Sequence, residues 1–160
     1  PGLYEIECGR SLREAIELAG GIPNGRSLQA ILLGGAAGTF VGPSALDMPL
    51  SFEGARDAKA TLGSGVIMVF DETADLHDTL SRIAEFFKHE SCGQCVPCRV
   101  GTMRQLELLQ MRSEPSAPSV ALVNELGQAM RDASICGLGQ TASSSIESAF
   151  ANVPSLRRRA

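Results

Sequence analysis

Five cysteines occur in the 160 residues, and three of them fall together. Residues 91–99 read Ser-Cys-Gly-Gln-Cys-Val-Pro-Cys-Arg, so Cys92, Cys95 and Cys98 form C-x2-C-x2-C. A fourth, Cys136, lies 38 positions after Cys98, within Ser134-Ile135-Cys136-Gly137-Leu138-Gly139. Three thiolates at this spacing can wrap a cubane, each sulfur reaching a different iron, and a remote fourth closes the cage. Bacterial ferredoxins open with the same run. Gly93 permits the tight loop, Gly137 and Gly139 relieve crowding beside Cys136, and Pro97 stiffens the chain. The pattern predicts a [4Fe–4S] cluster on Cys92, Cys95, Cys98 and Cys136. Zinc is the rival, although its four-cysteine sites favour two separated C-x2-C pairs. A plant-type [2Fe–2S] site would use C-x4-C-x2-C. A loop of unligated, exposed thiols would invite oxidation.

Other residues are read more plainly. Cys8 is expected to be a buried small hydrophobe. His89 lies three positions before Cys92, but four cysteines already complete a ligand set. His77 is read as solvent-facing. Arg99 is a candidate positive charge near the site; its plainer reading is a first-turn helix residue paired with a surface carboxylate. Phe86 and Phe87 are expected to keep water out of a helical core. The acidic residues form no recognisable general acid–base pair, so no hydrolytic chemistry is expected and no catalytic residue is named.

The elements that must position these cysteines divide the chain in two. Up to about residue 72 the pattern is mixed α/β. Leu3 to Glu7 alternates apolar and polar residues, which suggests a half-buried strand. Ser11 and Glu14 fit a capping box ahead of Leu12, Ala15, Ile16 and Ala19, and Gly20-Gly21 ends that helix. Leu28 to Leu33 is a short apolar strand, followed by a turn at residues 34–38. Val66 to Phe70 is the clearest strand, rich in β-branched residues. Residues 42–62 resist assignment because Pro43, Pro49 and Gly54 interrupt them.

The second part is helical. Asp75 can cap a helix running to about residue 89, with Leu76, Leu80, Ile83, Ala84 and Phe87 on one face. Met103, Leu106 and Leu109 suggest a second helix, and residues 114–118 a linker. Val120, Val123, Leu126 and Met130 suggest a third helix, and a capping box at Ser144 and Glu147 a short last one through Phe150. The expected class is α+β, with units at residues 1–72 and 73–160.

Composition narrows the function. The net charge of −4 and the lack of a basic stripe argue against a nucleic-acid partner. Arg157-Arg158-Arg159 reads as a solvated tail. No apolar run is long enough for a transmembrane helix. No signal peptide is visible, and clustered cysteines in odd number suit a reducing, cytoplasmic compartment better than a disulfide framework. The first residue is Pro1 rather than Met, which suggests a fragment or a processed piece.

Glu90 to Thr102 resembles the iron–sulfur signature of the flavoprotein (51 kDa) subunit of NADH dehydrogenases, shared with diaphorase subunits of NAD-linked formate dehydrogenases and soluble hydrogenases. Cys136 sits where that family supplies its fourth ligand. Residues 3–72 are similar to its soluble-ligand-binding β-grasp domain, including the stretches 34–38 and 62–66. Residues 75–155 are similar to its cluster-bearing bundle. Gln94 stands where the signature often has Lys. Ser134 to Ala142 looks closer to the formate dehydrogenase and hydrogenase branch than to respiratory complex I.

The resemblance implies an electron relay within an NAD-linked oxidoreductase complex. Flavin mononucleotide and NAD would be bound by a glycine-rich domain that nothing here resembles; residues 34–38 match neither G-x-G-x-x-G nor a P-loop. The implied partners are that flavin-bearing portion, or a separate chain carrying it, and further iron–sulfur subunits. The alternatives are the flavoprotein subunit of respiratory complex I and a non-redox binding module with a structural metal.

Overall fold

The computed structural model describes residues 1–111 and 117–157, which form two compact units, Pro1–Ala74 and Asp75–Ala160. In the first unit, helix α1 (Leu12–Leu18) opens as its sequence predicts. The Ser11 hydroxyl accepts the Glu14 N–H at 3.2 Å, and the Glu14 carboxylate accepts the Ser11 N–H at 2.8 Å. It closes on a paired-glycine cap: the Gly21 N–H donates to the Ile16 carbonyl and the Gly20 N–H to that of Glu17. Gly20, at φ +99°, takes the left-handed conformation this ending needs.

Strands β1 (Leu28–Leu33), β2 (Thr39–Val41) and β3 (Ile67–Asp71) form one antiparallel sheet in the order β2-β1-β3. Leu33 pairs with Thr39 on one side and Ile67 on the other. Central β1 is buried through Ala30, Ile31, Leu32 and Leu33, which explains its unbroken apolar run. Ile31, Leu33 and Val41 pack with Leu12 and Ile16 of α1 and with Met48 and Leu50 from the following loop. Within the unassigned stretch lie a 3-10 turn at Pro43–Ala45 and a short helix α2 (Phe52–Asp57), capped by the Ser51 hydroxyl.

Two expectations in this unit are corrected. Residues 3–7 form no strand, and Leu3 is fully exposed; alternation alone stabilises no strand without a sheet edge to pair with. Cys8 is exposed rather than buried, with its thiol 3.5 Å from the Leu50 carbonyl.

The second unit is all helical: α3 (Leu76–Glu90), α4 (Val96–Gln110), α5 (Ala117–Ala133), α6 (Gly137–Thr141), α7 (Ser144–Asn152) and α8 (Pro154–Arg157). Asp75 caps α3 by accepting the Asp78 N–H at 3.0 Å. Leu76, Leu80, Ile83, Ala84 and Phe87 are its buried residues, the face its periodicity predicts. Helix α4 packs against α3, α5 and α6, so it is the spine of this unit. The α4–α5 crossing is close because Gly101 faces the Met130 side chain, where any Cβ would collide with its sulfur.

Here too the structure departs from expectation. Ala117 and Pro118 belong to α5, while residues 114–116 of the expected linker lie outside the described residues, as do residues 158–160 of the basic tail. The capping box at Ser144 and Glu147 is not formed. Ser143 rather than Ser144 takes the cap position of α7, so Glu147 falls one residue past the N3 position of a capping box, and its carboxylate accepts from the Arg131 guanidinium at 2.6 Å. Phe87 is buried, but Phe86 is half-exposed, its ring set edge-on to that of Phe87 at 5.3 Å. Among the described residues, no helix is long and apolar enough to cross a membrane.

Candidate metal centre

The four expected ligands come from two of the connections between helices, α3–α4 with the first turn of α4, and α5–α6. Cys92 lies between α3 and α4, Cys95 immediately precedes α4, Cys98 is in its first turn, and Cys136 immediately precedes α6. Both α4 and α6 therefore start from a cysteine where Ser, Asp or Asn is the usual cap, and neither thiol makes a capping hydrogen bond. A cap of this kind forgoes about 1 kcal/mol of helix stability. The position is thus poor for structure alone and leaves the sulfur free for another partner.

The loop before α4 is held by its own residues. Gly93 has φ +74°, a conformation costly for other residue types. Its N–H donates to the Ser91 hydroxyl at 3.3 Å, and its carbonyl accepts from the Arg99 guanidinium at 3.1 Å. Arg99 therefore fixes the cysteine loop, where its plainer reading expected a surface carboxylate as partner. It also places a permanent positive charge on the backbone of the cysteine loop. His89 is exposed at the end of α3, and His77 is half-buried in its first turn.

Cys136 is brought to Cys98 by tight packing of α6 on α4. At Gly139, an added Cβ would meet the Ser134 side chain and the Cys98 Cβ together. The loop ahead of α6 is pinned by the Gln140 amide, which donates to the Ser134 carbonyl at 3.0 Å. On α4 the Thr102 hydroxyl donates to the Cys98 carbonyl at 2.9 Å.

The other three thiols all act on Cys98. Cys98 is 4 % exposed, whereas Cys92 and Cys136 are exposed and Cys95 is intermediate. Burial pushes the Cys98 thiol up from its ordinary value; the Ser91 hydroxyl pulls it down; and Cys95, Cys136 and Cys92 each raise it again. Four thiolates here would repel one another, so holding all four ionised requires bound positive charge. Among the described residues, no three His, Cys, Asp or Glu close around a single ion.

The donor chemistry fits an iron–sulfur cluster, which takes cysteine thiolates. So does an orphan: Ser134 Oγ is buried without a hydrogen-bond partner, beside the Gly139–Cys98 contact. A buried hydroxyl left unpaired costs about 1–3 kcal/mol, so one facing a ligand site is a candidate donor to what binds there. Ser91, Ser134 and Gly139 were legible only as neighbours of the cysteines; nothing in residue type marked their contacts.

The family described as NADH-ubiquinone oxidoreductase-F iron-sulfur binding region matches residues 78–157. The F subunit of the NADH-quinone oxidoreductase of Mycobacterium tuberculosis is 36% identical over 153 residues, covering 94% of this chain and 34% of the relative. NADP-reducing hydrogenase subunit HndC of Solidesulfovibrio fructosivorans is 34% identical over 143 residues, covering 88% of this chain and 29% of the relative. A crystal structure of an NAD+-reducing [NiFe]-hydrogenase in the H2-reduced state matches 95% of this chain and 26% of its own, with TM-score 0.79 and 33% identity. The chain thus spans about a third of the length of the curated relatives it matches. The match covers both cysteine-bearing loops and the helices between them, and on it the chain belongs to the NADH-ubiquinone oxidoreductase-F iron-sulfur binding region family.

Proposed function

We propose that Cys92, Cys95, Cys98 and Cys136 hold a [4Fe–4S] cluster that relays single electrons within an NAD-linked oxidoreductase complex. The observation carrying this reading is the approach of Cys92, Cys95 and Cys136, drawn from two loops, to the buried Cys98, inside a segment of an iron–sulfur binding family. Bound there, the cluster supplies one-electron transfer. The chain's own residues supply the rest: Arg99 and Gly93 shape the loop, Gly139 admits the fourth ligand, and α4 carries Cys98 away from water. Cys92 and Cys136 are the exposed members of the set.

In this reading the two-electron donor or acceptor is NAD acting through a flavin bound outside this segment, and further iron–sulfur subunits lie onward. The complex is of the hydrogenase or formate dehydrogenase type, a choice supported for hydrogenases by the HndC and [NiFe]-hydrogenase matches. A quinone-reducing respiratory complex is the second reading, supported by the 36% identity to the mycobacterial NADH-quinone oxidoreductase relative. Residues 1–72 are read as a soluble-ligand-binding β-grasp domain and 73–160 as the cluster bundle; the helix packed on a small sheet supports the first, although its described strands are all antiparallel. Free thiols throughout the described residues suit a reducing cytoplasm.

Anaerobic purification followed by iron and sulfide analysis tests the cluster. About four of each per chain, with an EPR signal after reduction, is expected. Zinc without iron would overturn it. Reduction of the cluster by NADH only when a flavin-bearing partner polypeptide is added tests the relay; a metal that never changes redox state in that mixture would leave a structural role.

A further inference from the structure

The Ser91 hydroxyl lies 3.3 Å from the Cys98 sulfur. The same oxygen accepts the Gly93 N–H at 3.3 Å, while the Ser91 N–H closes α3 on the Phe87 carbonyl at 3.1 Å. One side chain thus joins the end of α3, the turn of the cysteine loop and a sulfur in the first turn of α4. A ligating Cys98 carries no proton, so in that contact the hydroxyl must be the donor. Its oxygen is already engaged by Gly93, which leaves the O–H free to point at sulfur. Cys98 is also the buried member of the four, where water competes least and a hydrogen bond is electrostatically strongest.

We propose that Ser91 is a positioning residue that sets the reduction potential of the cluster by donating its hydroxyl to the Cys98 sulfur. The proposal rests on the reading of Cys98 as a ligand. Reduction adds one electron from an external one-electron donor and transfers no proton. The added negative charge is shared by the sulfurs, so a fixed donor stabilises the reduced state more than the oxidised one. The hydroxyl therefore raises the potential, and its removal lowers it.

The test is a mediated redox titration of the anaerobically purified chain, followed by EPR, on the parent, Ser91→Ala and Ser91→Thr. Iron and sulfide are quantified first in each. Ser91→Ala is expected to shift the reduction equilibrium about tenfold toward the oxidised form, which for one electron is about 59 mV. Ser91→Thr, which keeps the hydroxyl, is expected to restore most of the shift. A fully loaded Ser91→Ala with the parent's midpoint would overturn the proposal while leaving Cys98 a ligand. A parent chain without iron would overturn the ligand reading and the proposal with it. Should Ser91→Ala not load, the parent decides. Resonance Raman spectra after brief exchange into D2O are expected to show a shifted Fe–S(Cys) band, because hydroxyl protons exchange faster than helical amides. A band that does not move would mean that no hydroxyl donates, and would overturn the proposal.

Discussion

At the scale of single residues, the site separates cysteines by what surrounds them rather than by type. Cys98 is buried and hydrogen-bonded, Cys92 and Cys136 are exposed, and Cys8, in the other unit, lies 3.5 Å from the Leu50 carbonyl. In the proposed ligand set, replacing Cys136 with Ser would remove a soft thiolate from one corner of the cluster. The expected outcome is cluster loss or a labile three-iron form, read by iron content and by the change in EPR signal. Cys8→Ser serves as the control, with iron content expected to stay at the parent value. An unchanged signal in Cys136→Ser would exclude that residue as a ligand. The cysteine spacing was fully legible in the sequence, because ligand geometry constrains spacing directly. The Ser91 contact was not, because a serine beside a cysteine reveals nothing about rotamer or donor direction.

Among the elements that sequence reasoning overlooked, α6 is the one that bears on the site. Its residues, Gly137-Leu138-Gly139-Gln140-Thr141, have weak intrinsic helix preference and too few apolar positions to show a period. Tertiary packing makes it helical, and Gly139 is the contact that permits the packing. Gly139→Ala would drive a methyl group into the Ser134 side chain and the Cys98 Cβ. A loss of about 1–3 kcal/mol in stability is expected, with lower iron retention during gel filtration. Gly137→Ala is the matched comparison, since a Cβ there meets nothing within 4 Å among the described residues, and its iron content is expected to equal the parent's. Elements with a strong local signal were read well: β1 from its apolar run, α1 from its box and glycine pair, and α3 from its stripe and Asp75. Strand β2, three residues long, carries too little pattern to be seen, and Glu147 was misread because its Arg131 partner lies 16 positions away.

At the scale of the whole chain, the two units differ in what their charges do. Carboxylates with strongly lowered pKa values lie in the first unit. Hydrogen bonds from the Ser11 backbone, Arg10 and the Ser11 hydroxyl hold Glu14 at about 2 rather than 4.5, and Thr73 and Arg26 hold Asp71 at about 2 rather than 3.8. A carboxylate whose folded pKa is depressed contributes stability that is complete above its ordinary pKa and disappears as pH falls through the depressed value. The first unit is therefore expected to weaken between about pH 4.5 and 2. Glu14→Gln should be less stable than the parent at neutral pH, and the gap should narrow across that window, as followed by urea unfolding at several pH values. A constant gap would show that the Glu14 charge is not responsible. The mixed α/β class was legible from the presence of both strand-like and helical hydrophobic patterns; the antiparallel order of the sheet was not, since strand pairing is set by packing rather than by any one strand's residues.

The separation of Cys98 and Cys136 along the chain has a consequence for assembly. Cys92, Cys95 and Cys98 lie in one short stretch and meet at little entropic cost, whereas Cys136 arrives only after a loop of 38 positions has closed. That closure requires α5 to cross α4 at Gly101 and α6 to dock at Gly139. Iron held at three corners would therefore precede the finished bundle, and the fourth thiolate would act as the latch by which the polypeptide registers that folding is complete.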